Sequence, residues 1–91
     1  MGVFNLVRRG AYHDSVTLMR LSHDMEAVPG VRRAAAMMGT PANRALLRDA
    51  GLLDVDGETA TPNDLVIAAV ADSESAARAA WAAADSALGR G

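Results

Sequence analysis

The chain has no cysteine. That excludes disulfide scaffolds and thiolate metal sites. Its two histidines, His13 and His23, sit in no ligand-spaced motif, and two imidazoles make no zinc site without carboxylates. Lysine is also absent, so all nine basic residues are arginine. Arginine suits planar pairing with carboxylate or phosphate, and the base composition of the coding genome accounts for the same bias. Nine basic residues face eleven acidic ones, a net charge of −2. No cationic surplus points to nucleic acid. Phe4, Tyr12 and Trp81 are the only aromatics, too few for a base-stacking platform. No apolar run approaches the ~20 residues of a membrane span. At the N-terminus, MGVFNLVRRG places its charges after its apolar residues, the reverse of a secretory signal. These absences predict a soluble, cytoplasmic protein with no nucleic-acid and no membrane partner.

What is present is modest in bulk. Ninety-one residues make one domain, spanning 1–91. Apolar residues are 51% of the chain, but twenty of them are alanine, leaving 26 larger side chains to build a core. A core that small predicts self-association or docking onto a larger partner.

The apolar pattern divides the chain into alternating units. Val3-Phe4-Asn5-Leu6-Val7 reads as a first strand, stopped by Arg8-Arg9-Gly10. A helix follows over 14–28, with Asp14 or Ser15 as its N-cap. Leu18, Leu21, Met25 and Val28 fall on one face of it, and Pro29-Gly30 ends it. Val31 to Met38 is a second, alanine-rich strand. Thr40 caps a short helix with Pro41 at its first position. That helix is expected to turn Ala42, Ala45, Leu46 and Leu47 inward and to stop near Gly51. Residues 54–63, DVDGETATPN, read as a polar loop. Leu65 to Ala71 is the strongest strand, β-branched and uncharged. Ser73 caps a last helix carrying Ala77, Ala80, Trp81, Ala84 and Leu88 on one stripe, closed by Gly89.

The order βαβαβα fits two α/β architectures. Parallel strands with right-handed crossovers give a three-layer unit. A split β-α-β unit gives an α+β sandwich, ferredoxin-like with one strand missing, in which the third strand inserts antiparallel between the first two. The long 51–64 connection and the Val-Pro-Gly-Val entry into strand two favour the second. Either sheet has three strands and leaves its edges unpaired.

Four features have the residue types for chemistry. Met37-Met38-Gly39-Thr40-Pro41-Ala42-Asn43 lies where a strand ends and a helix begins, and backbone N–H groups at a helix start favour an anion. Gly39 permits close approach, Thr40 caps or contacts a ligand, and Asn43 adds an amide. The turn lacks the full phosphate-loop spacing and its lysine. Arg8-Arg9-Gly10-Ala11-Tyr12-His13-Asp14-Ser15 offers two guanidinium groups for phosphate or carboxylate. His13 beside Asp14 has no defined nucleophile to serve, so no catalytic residue is assigned; His23 reads as a surface residue. Thr61-Pro62-Asn63-Asp64 reads as a turn whose polar side chains bond back to its backbone. The alanine face of the last helix permits close packing, with Trp81 as its one large anchor. The candidate ligand-binding residues are therefore Arg8, Arg9, Gly39, Thr40 and Asn43, for a small anion.

These segments resemble the N-terminal domain of the FdrA family. The matching residues are Arg9-Gly10-Ala11-Tyr12, then Asp14-Ser15-Val16 with Leu18-Met19, then Met37 to Asn43, Leu46-Leu47 and Ala50-Gly51. Thr61 to Leu65 and Asp72-Ser73 complete the pattern, which covers nearly the whole chain.

The resemblance implies a relative of succinyl-CoA synthetase and other NDP-forming acyl-CoA synthetases, associated with purine and allantoin catabolism and with carbamoyl transfer. In that family the N-terminal domain precedes CoA-binding and ligase-CoA domains, and neither lies in this chain. No phosphorylated-histidine motif matches His13 or His23. The implied role is an accessory or regulatory subunit, not catalytic alone, assembled with synthetase-like or carbamoyltransferase subunits. It is expected to bind no cofactor itself, CoA or nucleotide belonging to the partner domains. A purely structural oligomerisation module and an ACT-like small-molecule sensor are the alternatives.

Overall fold

The computed structural model describes residues 1–89. The elements run β1 (Gly2–Arg8), α1 (Ser15–Glu26), β2 (Val31–Met38), α2 (Pro41–Asp49), β3 (Leu65–Ala71) and α3 (Glu74–Gly89), with one 3-10 turn at Gly57–Thr59 before β3. The strand order is β1-β3-β2, and β3 is antiparallel to both neighbours. This is the split β-α-β arrangement, consistent with a ferredoxin-like α+β fold. The all-parallel alternative is overturned by the pairing of Gly2 with Ala71 and Arg8 with Leu65.

All seven residues of β3 are buried. A central strand covered on both faces needs no polar alternation, which is why LVIAAVA carries none. Its side chains divide by parity. Leu65, Ile67 and Ala69 join Leu21 and Met25 of α1 and Ala80 and Ala84 of α3. Val66, Ala68 and Val70 join Leu47 of α2 with Leu52 and Ala60 of the long connection. The sheet is thus a middle layer, with α1 and α3 on one face and α2 with the 50–60 segment on the other. The alanines of β2, β3 and α3 let the two helices sit close over the strands.

The caps follow the residue chemistry. Asp14 is the N-cap of α1 and accepts the Thr17 amide at 3.0 Å. Thr40 caps α2 by accepting the Asn43 amide at 3.1 Å, with Pro41 in the first turn. A bulge at the start of β2 shifts the register between Val31 and Arg33, and the Arg32 between them donates to Asp72.

Two expectations need correction. Ala42 and Leu46 of α2, both expected to face inward, are exposed, Leu46 by 57%, whereas Leu47 is buried. The inward stripe of this short helix is Asn43, Leu47 and Ala50, and its polar first member disguised it. The 54–63 segment is also more than a polar loop: it holds the 3-10 turn, and Leu52, Gly57 and Ala60 around it are buried.

Both sheet edges are engaged. In β1 the Asn5 amide donates to Asp54 Oδ2, and its side chain donates to the Leu52 carbonyl and accepts from the Asp54 amide. In β2 the Ala36 amide donates to Ser22 Oγ at 2.9 Å and the Ala34 amide to Glu26. These amides would otherwise template pairing with another strand.

Candidate functional site

The two motif-bearing turns meet at Asp64. This residue opens β3 and is 5% exposed. Its Oδ1 accepts the Gly10 amide at 2.9 Å. Its Oδ2 accepts Arg9 Nη1 at 2.8 Å, the Thr61 amide at 2.9 Å and Thr61 Oγ1 at 3.0 Å. The Thr61 and Gly10 amides, with Arg9 and the Thr61 hydroxyl in support, hold the carboxyl well below its usual range against the opposing effect of burial. The backbone carbonyl of Asp64 accepts the Gly39 amide at 2.8 Å. One residue therefore ties the β1–α1 turn, the 59–61 segment and the β2–α2 turn to the start of the central strand.

Gly39 is required there by closeness. A Cβ at this position would lie 2.6 Å from Ala60 Cβ and 2.7 Å from the Thr61 carbonyl oxygen. The glycine lets β2 pass directly against the 60–61 backbone.

Each sequence-predicted site residue has an internal partner. Arg9 also donates to the Thr59 carbonyl and to Thr59 Oγ1. Arg8, the last residue of β1, pairs instead with Asp85 of α3, so the two arginines do not converge on one ligand. Asn43 donates its side-chain amide to the Met38 carbonyl at 2.9 Å. Gly39, Thr40, Asn43 and Arg9 are brought into one corner of the fold, and Arg8 is not. His23 is exposed, as expected of a surface residue.

Beside this corner lies a groove of about 360 Å³. One wall is the β1–α1 loop, through Tyr12 and His13. A second is α1, through Ser15, Leu18, Met19 and Ser22, and the floor is the outer part of β2 from Ala36 to Met38 with Asn43 of α2. Its rim is apolar and exposed. Tyr12 is 74% and Met19 72% exposed, and Val16 and Leu46 stand one helical turn from Met19 and Asn43. Sequence reasoning read Asp64 only as a local turn residue and Met19 only as part of the family resemblance, and it did not find the groove. The legible signal was that Val16 and Met19 are apolar yet lie off the Leu18–Leu21–Met25 stripe of α1.

The family model for the AllF heavy metal-associated domain matches residues 1–91. The chain belongs to this family. A curated relative, the uncharacterized protein YahF of Escherichia coli (strain K12), is 36% identical over 67 residues, 74% of this chain. The match spans 13% of the relative's length. No solved structure matches the chain. The family's description names heavy metals, and the donor set here does not fit one. Cysteine is absent, and among the described residues no group of three or more His, Asp or Glu side chains is placed to hold an ion.

Among the described residues no helix is long and apolar enough to cross a membrane.

Proposed function

We propose that this chain is a non-catalytic accessory module of an AllF-type assembly in allantoin breakdown, and that it meets its larger partner through the groove between α1 and α2. The groove carries this reading. Tyr12, Ser15, Leu18, Met19, Met37, Met38 and Asn43 line it, and these are residues on which the resemblance to the FdrA family rests. A working surface built from a family's motif residues, with exposed tyrosine and methionine on its rim and the exposed Leu46 one helical turn from Asn43, has the composition of a protein contact. The partner in this reading is a synthetase-like or carbamoyltransferase subunit that holds any CoA or nucleotide. The length of the curated relative, of which the match spans 13%, fits a module attached to much more protein.

Two other readings have less support. An anion on the Gly39–Asn43 turn would compete with bonds already made, since Gly39, Thr40 and Asn43 are each engaged within the fold. Self-association by strand addition would have to displace the side chains bonded to Asn5, Ala34 and Ala36.

Co-expression with AllF-type synthetase-like or carbamoyltransferase subunits tests the proposal. The chain is expected to co-elute with them. Met19→Asp combined with Leu46→Asp is expected to abolish co-elution without lowering the melting temperature, because both side chains are exposed. Co-elution that survives the pair of substitutions overturns the reading. A selective rise in melting temperature with phosphate, carbamoyl phosphate or oxamate, lost in Thr40→Ala, would replace it with the anion site.

A further inference from the structure

We infer that this chain keeps the fold of a heavy-metal-associated family without a heavy-metal site, and that Asp64 supplies the cross-linking between segments that a bound ion would supply.

Soft metals select thiolate and thioether sulfur. With no cysteine, the five methionines are the only soft donors. Met25 is fully buried in the core between α1 and the sheet. Met37 and Met38 are consecutive in β2, so their side chains leave opposite faces of the sheet. Met38 joins the cluster around Leu21 and Met37 packs on the cluster around Leu47. They border the groove from two sides and cannot bring their sulfurs to one ion. Met1 is 82% exposed at the chain start. That leaves Met19 and His13 on the groove, short of the three or four ligands that a protein site supplies.

The carboxylates near the turns are committed elsewhere. Asp14 caps α1 through the Thr17 amide. Asp64 accepts four hydrogen bonds on its two oxygens, which uses the lone pairs a metal would need. Those bonds do the structural work of an ion. A structural metal stabilises a fold by ligating groups from separate segments. Asp64 joins the Arg9-Gly10 turn, Thr61 and, through its carbonyl, the Gly39 turn. One wall of the groove, through Tyr12 and His13, and the Asn43 end of its floor are carried by the two turns it holds.

The purified chain, dialysed against a chelator, would be titrated separately with Ag(I), Zn(II) and Cd(II). Native mass spectrometry and thermal melting read the result. The expected outcome is no stoichiometric ion and one melting temperature across chelator and all three metals. Asp64→Asn is expected to melt lower, with no metal restoring it. Loose, multiple Ag(I) adducts without a melting shift support the inference. A one-to-one complex that raises the melting temperature, or a chelator that lowers it, overturns the inference. Rescue of Asp64→Asn by any of the metals overturns it as well.

Discussion

Gly10 donates its amide to the Asp64 carboxylate at 2.9 Å. The Asp64 carbonyl in turn accepts the amide of Gly39 at 2.8 Å. The relationship joins turns far apart in sequence at one buried residue, so the position of the β1–α1 loop is linked to that of the β2–α2 turn. Tyr12 and His13 ride on the first, Asn43 on the second. The shape of the groove is therefore set by a side chain that does not line it.

Acid should release this link. The native carboxyl titrates below its usual range, its charge favoured chiefly by the Thr61 and Gly10 amides. A group with a depressed native pKa stabilises the fold above its unfolded value, about 3.9 for Asp. The contribution is lost as pH falls from there through the native value. Asp64→Asn keeps the shape but not the charge. It is expected to melt lower than the parent by a constant margin between pH 6 and 8, and the margin should narrow as pH drops below about 4. Melting curves of the two proteins across pH 3–8 check this. A margin independent of pH would place the effect in packing instead of charge.

Gly39→Ala should be among the most damaging single-methyl additions in the chain. Its Cβ would meet Ala60 Cβ and the Thr61 carbonyl at distances no relaxed structure holds. Neither neighbour is the free end of a flexible side chain. Overpacking of this kind costs about 1–3 kcal/mol, and in a domain of this size each kcal/mol lowers the melting temperature by roughly 4–8 °C. Denaturant unfolding of Gly39→Ala measures it directly.

At the other edge the pair Asn5 and Gly57 makes a parallel case. Asn5 is 6% exposed, and it bonds both the Leu52 carbonyl and the Asp54 amide. A Cβ on Gly57 would overlap Asn5 Oδ1. Asn5→Ala leaves a buried carbonyl and amide unpaired, at about 1–3 kcal/mol. It also unpins the 52–54 segment, whose Asp54 covers the backbone amide of residue 5, so aggregation on unfolding should rise relative to the parent. Light scattering during the melt reads that second effect.

How much of this was legible in the sequence depends on the range of the interaction. The six main elements were readable within a few residues, because each rests on local signals. Thr40-Pro41 starts a helix, Pro29-Gly30 ends one, and LVIAAVA is too apolar for anything but a buried strand. The antiparallel insertion of β3 was favoured by the long 51–64 connection and by the Val-Pro-Gly-Val entry into β2. The 3-10 turn was not legible, since its reason is the contact of Gly57 with Asn5, across the sheet edge. Asp64 was read as a turn residue bonding its own backbone. That was right for Thr61 and silent about Arg9 and Gly10, which reach it over more than fifty residues. Motif chemistry offered Arg8 or Arg9 for one anion, but Arg8 ends β1 and pairs with Asp85 of α3, while Arg9 begins the turn and reaches Asp64.

Trp81 offers the converse of a damaging substitution. The indole packs against the α1–α3 core cluster, yet its Nε1 is buried without a hydrogen-bond partner. Buried indole N–H groups are normally paired, and an unpaired donor costs about 1–3 kcal/mol of desolvation. Trp81→Phe removes that donor and also some apolar volume, a loss of similar size for a half-buried ring. The two effects oppose each other, so the melting temperature is expected to stay within a few degrees of the parent. Trp81→Ala keeps the benefit of removing the donor but loses the whole ring, and it should destabilise clearly. Thermal melts of the two variants side by side separate the polar effect from the packing effect. A Trp81→Phe variant as unstable as Trp81→Ala would mean that the N–H is paired in solution, by water or by a neighbouring carbonyl.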